Sequence, residues 1–115
     1  MPLMLDRETT NENNLKNYEI RISLVTVGIF KENDRFCAKC VELDLVTEMD
    51  TPDEALRAIV EMIKEYAQDY ELRKDLFSNS PNRYYHLPYI ERINNCKNDW
   101  ELLEQIEVRY GHIHL

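Results

Sequence analysis

The chain has 115 residues, 43% hydrophobic and 31% charged, with a formal net charge of -8. Such a chain builds one domain around one core, and its composition excludes wholesale disorder. No apolar run approaches the roughly 20 residues that span a bilayer, so no membrane partner is expected. A negative field repels phosphate backbones, which disfavours direct nucleic-acid binding and favours a basic protein partner, although acidity also simply keeps a protein in solution.

Residues 1–16, MPLMLDRETTNENNLK, are polar and read as a flexible arm. They lack the basic start and apolar block of a secretory signal. Cys37, Cys40 and Cys96 are an odd number of thiols, which fits a reducing cytoplasm better than a disulfide framework. Residues 17–115 are expected to form a single α+β domain, with a C-terminal extension from about residue 81.

From Tyr18 the pattern changes. YEIRISLVTVGIF alternates apolar and polar residues and then turns apolar on both sides, which predicts a strand over residues 18–30. KEND is a polar turn. Residues 35–41 return as a second strand, with Phe36, Ala38 and Cys40 on one face and Cys37, Lys39 and Val41 on the other. A third strand over residues 43–49 completes an antiparallel meander of three to four strands, whose apolar face needs a cover.

One long helix supplies that cover. Thr51 suits the N-cap, Pro52 the first helical position, and Glu54 stands three residues after the cap, a capping box in which hydroxyl and carboxylate each satisfy a backbone N–H. Asp53 and Glu54 add negative charge at the positive end of the helix dipole. Ala55, Leu56, Ile59, Val60, Ile63, Tyr66, Ala67 and Tyr70 then recur at three- and four-residue steps, predicting one apolar helical face to about Leu76. SNSPN stops the helix. RYYHLPYIERI, aromatic-rich and broken by Pro88, reads as an edge strand or extended segment. Asn98 or Asp99 caps a short second helix over residues 100–108, with Leu102, Leu103 and Ile106 on one face, and VRYGHIHL reads as a last short strand.

The side-chain constellations point away from an enzyme. Cys37 and Cys40 have C-x-x-C spacing, but on a strand they face opposite sides and cannot share an ion. His86, His112 and His114 read as surface or terminal histidines. The acidic cluster Glu42, Asp44, Glu48, Asp50, Asp53 and Glu54 has no EF-hand pattern and reads as a solvated rim. No phosphate-cradling glycine loop and no nucleophile-elbow motif is present. No cofactor and no metal ligand set is expected. Tyr84, Tyr85, Tyr89 and Trp100 offer large contact area at low entropic cost, or else complete the core.

The central stretch resembles the HicB family of antitoxin domains. Phe36-Cys37-Ala38 stands in the family's strand, Val41-Glu42-Leu43 in its turn, residues 46–51 before the cap, and Asp53-Glu54-Ala55-Leu56 in its helix start. The match covers residues 18–70. Val41 stands where that family usually has proline, Met49 where it usually has glycine, and its C-terminal DNA-binding element is not recognisable after Pro81. The resemblance implies a βββαβ, partial ribonuclease H-like fold without that enzyme's carboxylate site. It also implies a non-catalytic module that binds and blocks a small basic RNA-cleaving toxin.

Glu42, Asp44, Glu48, Tyr84, Tyr85 and Tyr89 are the expected partner contacts. One alternative is a homo-oligomeric assembly protein on the same scaffold, and another is a metal-dependent enzyme using the acidic rim. Three strands leave an unpaired edge, and residues 18–30 are expected to pair with another chain or with the C-terminal segment. A homodimer or higher even-numbered assembly through an edge strand or residues 83–93 is expected, the competing account being that residues 83–115 fold back and cover the edge within one chain.

Overall fold

A computed structural model describes residues 24–111. The expected arm at residues 1–16, the first residues of the opening strand, and His112 and His114 lie outside the described residues. Within them, β1 (Val25–Glu32), β2 (Arg35–Cys40) and β3 (Leu45–Met49) lead into α1 (Pro52–Leu72) and α2 (Lys74–Ser78). A 3-10 turn (Tyr84–His86), α3 (Leu87–Asn94), α4 (Asp99–Glu104) and β4 (Ile106–Tyr110) follow.

The three strands form the expected meander. β1 and β2 pair antiparallel from Val27↔Cys40 to Glu32↔Arg35, leaving a two-residue turn in which Asn33 takes φ 57. Asparagine tolerates that left-handed backbone, so the turn needs no glycine. β3 pairs with β2 through Phe36↔Met49, Ala38↔Thr47 and Cys40↔Leu45, and starts two residues later than the sequence suggests. The intervening turn uses Asp44 at φ 55.

The fourth strand corrects the expected topology. The sheet order is β3-β2-β1-β4, and β4 runs parallel to β1, with Val25 opposite Ile106 and Ile29 opposite Tyr110. The sheet is therefore mixed, not purely antiparallel. A parallel neighbour needs a crossover connection, which the helices supply. β1 is consequently an interior strand. Of the two pairings expected for it, with another chain or with the C-terminal segment, the second is the one formed.

One face of this sheet carries Val25, Val27, Ile29, Ala38 and Cys40, all buried, and α1 lies across it with Ala55, Ile59, Val60, Ile63, Ala67 and Tyr70 buried. Leu56 and Tyr66 flank that stripe half-buried. The cap is as expected in residue and differs in one bond. Thr51 Oγ1 accepts from the Glu54 N–H at 3.2 Å, but the Glu54 carboxylate takes the Thr51 hydroxyl proton at 3.1 Å instead of the Thr51 N–H.

The helix breaks at Arg73, earlier than expected, and α2 then turns Phe77 inward against Tyr70 at 5.3 Å between ring centroids. Residues 83–93 are not an edge strand: they form the 3-10 turn and α3. Pro88 falls in the first turn of α3, where its missing N–H costs nothing. Ile90 and Ile93, three apart, are both buried, so the apolar period is helical. α4 ends at Glu104, sooner than the sequence suggests, so that Ile106 can enter the sheet.

Candidate functional site

The six expected contact residues separate into two groups by what already occupies their side chains. Glu42 follows β2, and its carboxylate accepts the Thr26 N–H at 2.7 Å, fastening the β2–β3 turn to β1. Glu48 lies 3.3 Å from Arg35, whose guanidinium also reaches Asp50 at 3.6 Å and donates to the Glu48 carbonyl at 3.0 Å. Asp44 pairs with Lys39 at 3.6 Å but stays exposed at the tip of the turn. Surface pairs of this kind are worth about 1 kcal/mol or less, so they neutralise charge more than they stabilise.

Tyr89 packs half-buried against the core, whereas Tyr84 and Tyr85 remain 58% and 50% exposed. Their rings meet edge to face at 5.7 Å, and Tyr85 abuts His86 at 4.5 Å. The turn that presents them is held from below. The buried Tyr70 hydroxyl donates to the Arg83 carbonyl at 2.9 Å, and the Arg83 guanidinium stacks on Phe77 at 4.7 Å and Tyr66 at 5.7 Å. Two exposed tyrosines thus sit on a turn with little freedom left to lose.

His86 corrects the reading of it as a surface histidine. Its side chain is buried, with Nδ1 2.6 Å from the Tyr66 hydroxyl. Nε2 has no hydrogen-bond partner among the described residues. Burial pushes its pKa below the usual histidine value, Arg83 pushes the same way, and the Asp44 carboxylate opposes them. Among the expected contacts, Asp44 is thus the one whose charge is felt at His86. Glu42 and Tyr89 serve the scaffold, whereas Glu48 stays exposed beside Arg35.

The thiols do not converge. Cys40 lies in the core and Cys37 on the opposite sheet face. Burial pushes the Cys40 thiol up to about 11, and burial together with a hydrogen bond to Glu32 raises that of Cys37. Burial also raises Cys96. Thiols so shifted are poor nucleophiles near neutral pH. No group of three or more His, Cys, Asp or Glu converges among the described residues. A hollow of about 220 Å³ lies between α1 and the α3–α4 loop, lined by Lys64, Gln68, Asn94 and Asp99, with Lys64 bridging Glu61 at 2.8 Å and Asp99 at 3.0 Å. No helix among the described residues is long and apolar enough to cross a membrane.

One feature escapes the sequence. Leu103 is expected beside Leu102 on the covered face of α4, but only Leu102 is buried. Leu103 is 42% exposed and lies three residues from Trp100, which is 69% exposed. That spacing places both on one helical face, and the phase of so short a helix is set by its packing.

The molecule is thus an α+β sheet covered by helices, with aromatics displayed on its helical side. The chain belongs to the PHD-like family, described as antitoxin of toxin-antitoxin, RelE / RelB, TA system, whose model matches residues 3–108. A crystal structure from Syntrophomonas wolfei subsp. wolfei, described as the antitoxin part of a candidate toxin/antitoxin system, is 28% identical with a TM-score of 0.68. The match covers 87% of this chain and 72% of that one. No curated protein matches significantly. The antitoxin class implied by the resemblance to HicB is thus shown, through a different family from the one the central motifs suggested. The assembly-protein alternative is not favoured.

Proposed function

We propose that this chain binds and neutralises a small basic toxin protein, and that it does so by occupation of a surface, without chemistry of its own. The match of residues 3–108 to an antitoxin family carries this reading. The local geometry supports it: the carboxylates that resemble a cation site are paired with Arg35, Lys39 or a backbone N–H, and the thiols are buried or raised in pKa. The net charge of -8 favours a cationic protein partner over nucleic acid. The likeness of residues 18–70 to HicB domains fits the observed strand-strand-strand-helix order.

Of the six expected contacts, Tyr84, Tyr85, Asp44 and Glu48 are the ones with side chains available to a partner, and we assign them to the toxin interface. Co-expression of the chain with the toxin encoded beside it, followed by co-purification and an RNA-cleavage assay, tests the function. The expected outcome is a stable complex with cleavage suppressed. A chain that neither binds nor inhibits that toxin rules the role out.

A further inference from the structure

Residues 98–108, NDWELLEQIEV, contain four carboxylates and no lysine or arginine. They form α4 and most of β4, joined through Gln105 alone, and the two elements touch. On α4, Trp100 and Leu103 face solvent, with exposures of 69% and 42%. An exposed tryptophan with an exposed leucine three residues away is apolar area that the core of the described residues leaves uncovered.

The carboxylates around it are only partly compensated. Asp99 meets Lys64 at 3.0 Å, and Glu107 meets Arg109 at 3.0 Å. Glu101 accepts the Lys97 backbone N–H at 2.7 Å, a bond that leaves its charge uncancelled. Glu104 is exposed and has no ion-pair partner among the described residues. Cations border the segment, since Arg92 donates to Gln105 Oε1 at 3.5 Å and Lys97 and Arg109 flank it, so Glu101 and Glu104 are the carboxylates without an ion pair among the described residues.

Backbone groups lie open in the next element. The Gly111 N–H bonds to the Ile29 carbonyl, and Gln105 accepts from Val25, so the odd-numbered residues of β4 bond toward β1. Ile106, Val108 and Tyr110 therefore turn their N–H and C=O groups to the outer edge, which pairs with no strand among the described residues. Such an edge accepts an added strand.

Together these features point to a second part of the toxin's footprint, beyond the tyrosine turn. We infer that α4 and the start of β4 also receive the toxin, with Trp100 and Leu103 entering an apolar recess of a cationic protein whose lysine or arginine rim meets Glu101 and Glu104. This inference rests on the antitoxin reading and adds where the partner sits. Tryptophan anchors ringed by polar contacts dominate many interfaces, and complementary charge sets the association rate.

Trp100 is the chain's single tryptophan, so it is its own reporter. The full chain, grown with 5-fluorotryptophan, is titrated with the unlabelled toxin encoded beside it, and the one fluorine resonance is followed. A shift on complex formation is expected. Trp100→Ala is expected to weaken binding about 30-fold, and Glu104→Lys to slow association about tenfold at low salt. Thermal midpoints of both variants should equal that of the wild type, since neither side chain is buried. Tyr85→Asp serves as the comparator. Complex formation by the wild type with an unmoved resonance, and with Trp100→Ala and Glu104→Lys binding as tightly, overturns this surface and leaves the antitoxin reading standing. No complex with the wild type overturns both.

Discussion

Thr51 is the residue on which the start of α1 depends. Its hydroxyl serves as both acceptor and donor to Glu54, and its extended backbone, φ -133 and ψ 157, is that of an N-cap. Thr51→Ala removes the acceptor for one helical N–H and should cost about 1 kcal/mol, read as a lower urea midpoint at unchanged slope. An unchanged midpoint would show the cap to be dispensable. His86 predicts a pH dependence. Buried against Tyr66, with Arg83 and Tyr85 beside it and Asp44 opposing, it has a folded pKa below its ordinary value of about 6.5. The unfolded chain then takes up the proton first. Stability from the neutral ring is complete above about pH 6.5 and is lost as pH falls through the depressed folded value. Denaturation midpoints should drop between pH 7.5 and 5.5, and His86→Asn should flatten that drop. Parallel curves for the two proteins would show that His86 does not cause it.

Among the elements, β4 decides how the sheet ends. It covers the side of β1 that would otherwise present unpaired N–H and C=O groups, beginning where the Leu24 and Val25 N–H groups meet the Gln105 carbonyl. Truncation after Gln105 should expose Val25, Val27 and Ile29 along that edge and drive self-association. Light scattering at tens of micromolar is expected to show a mass increase for the truncated chain relative to the full one. Equal masses with intact helix content would mean that β1 does not need its parallel neighbour. α3 illustrates how an element is held rather than merely formed. Its Asn94 side chain donates to the Ala67 carbonyl at 3.1 Å, and Ile90 and Ile93 bury against α1, so a short helix with little intrinsic stability is maintained by docking.

At the scale of the whole molecule, net charge decides which partners can approach. With 22 acidic and 14 basic residues, the chain alone should not retard duplex DNA at physiological salt, because counterion release requires clustered cations. Salt-sensitive retardation by the purified chain would contradict this and identify a basic cluster that the net charge conceals.

The sequence by itself determined what local rules control. The Thr51–Glu54 helix start, the apolar stripe from Ala55 to Tyr70 and the opposed faces of Cys37 and Cys40 follow from capping chemistry and from the periods of helix and strand. The antitoxin class was also legible, because the motifs of the central segment lie close together in the chain. Only tertiary structure decided that RYYHLPYIERI is helical, since Pro88 suits both a strand edge and a helix start and the choice lies with the burial of Ile90 and Ile93. Only tertiary structure set β4 parallel to β1, because the direction of a strand depends on the crossover that delivers it, not on its own residues. The same holds for contact residues. Glu42 and Tyr89 carry the right chemistry for a partner but are committed to Thr26 and the core, while Leu103 faces solvent because the docking of α4 turns Leu102 inward. Chemistry resides in the residue, but availability is set by its neighbours in space.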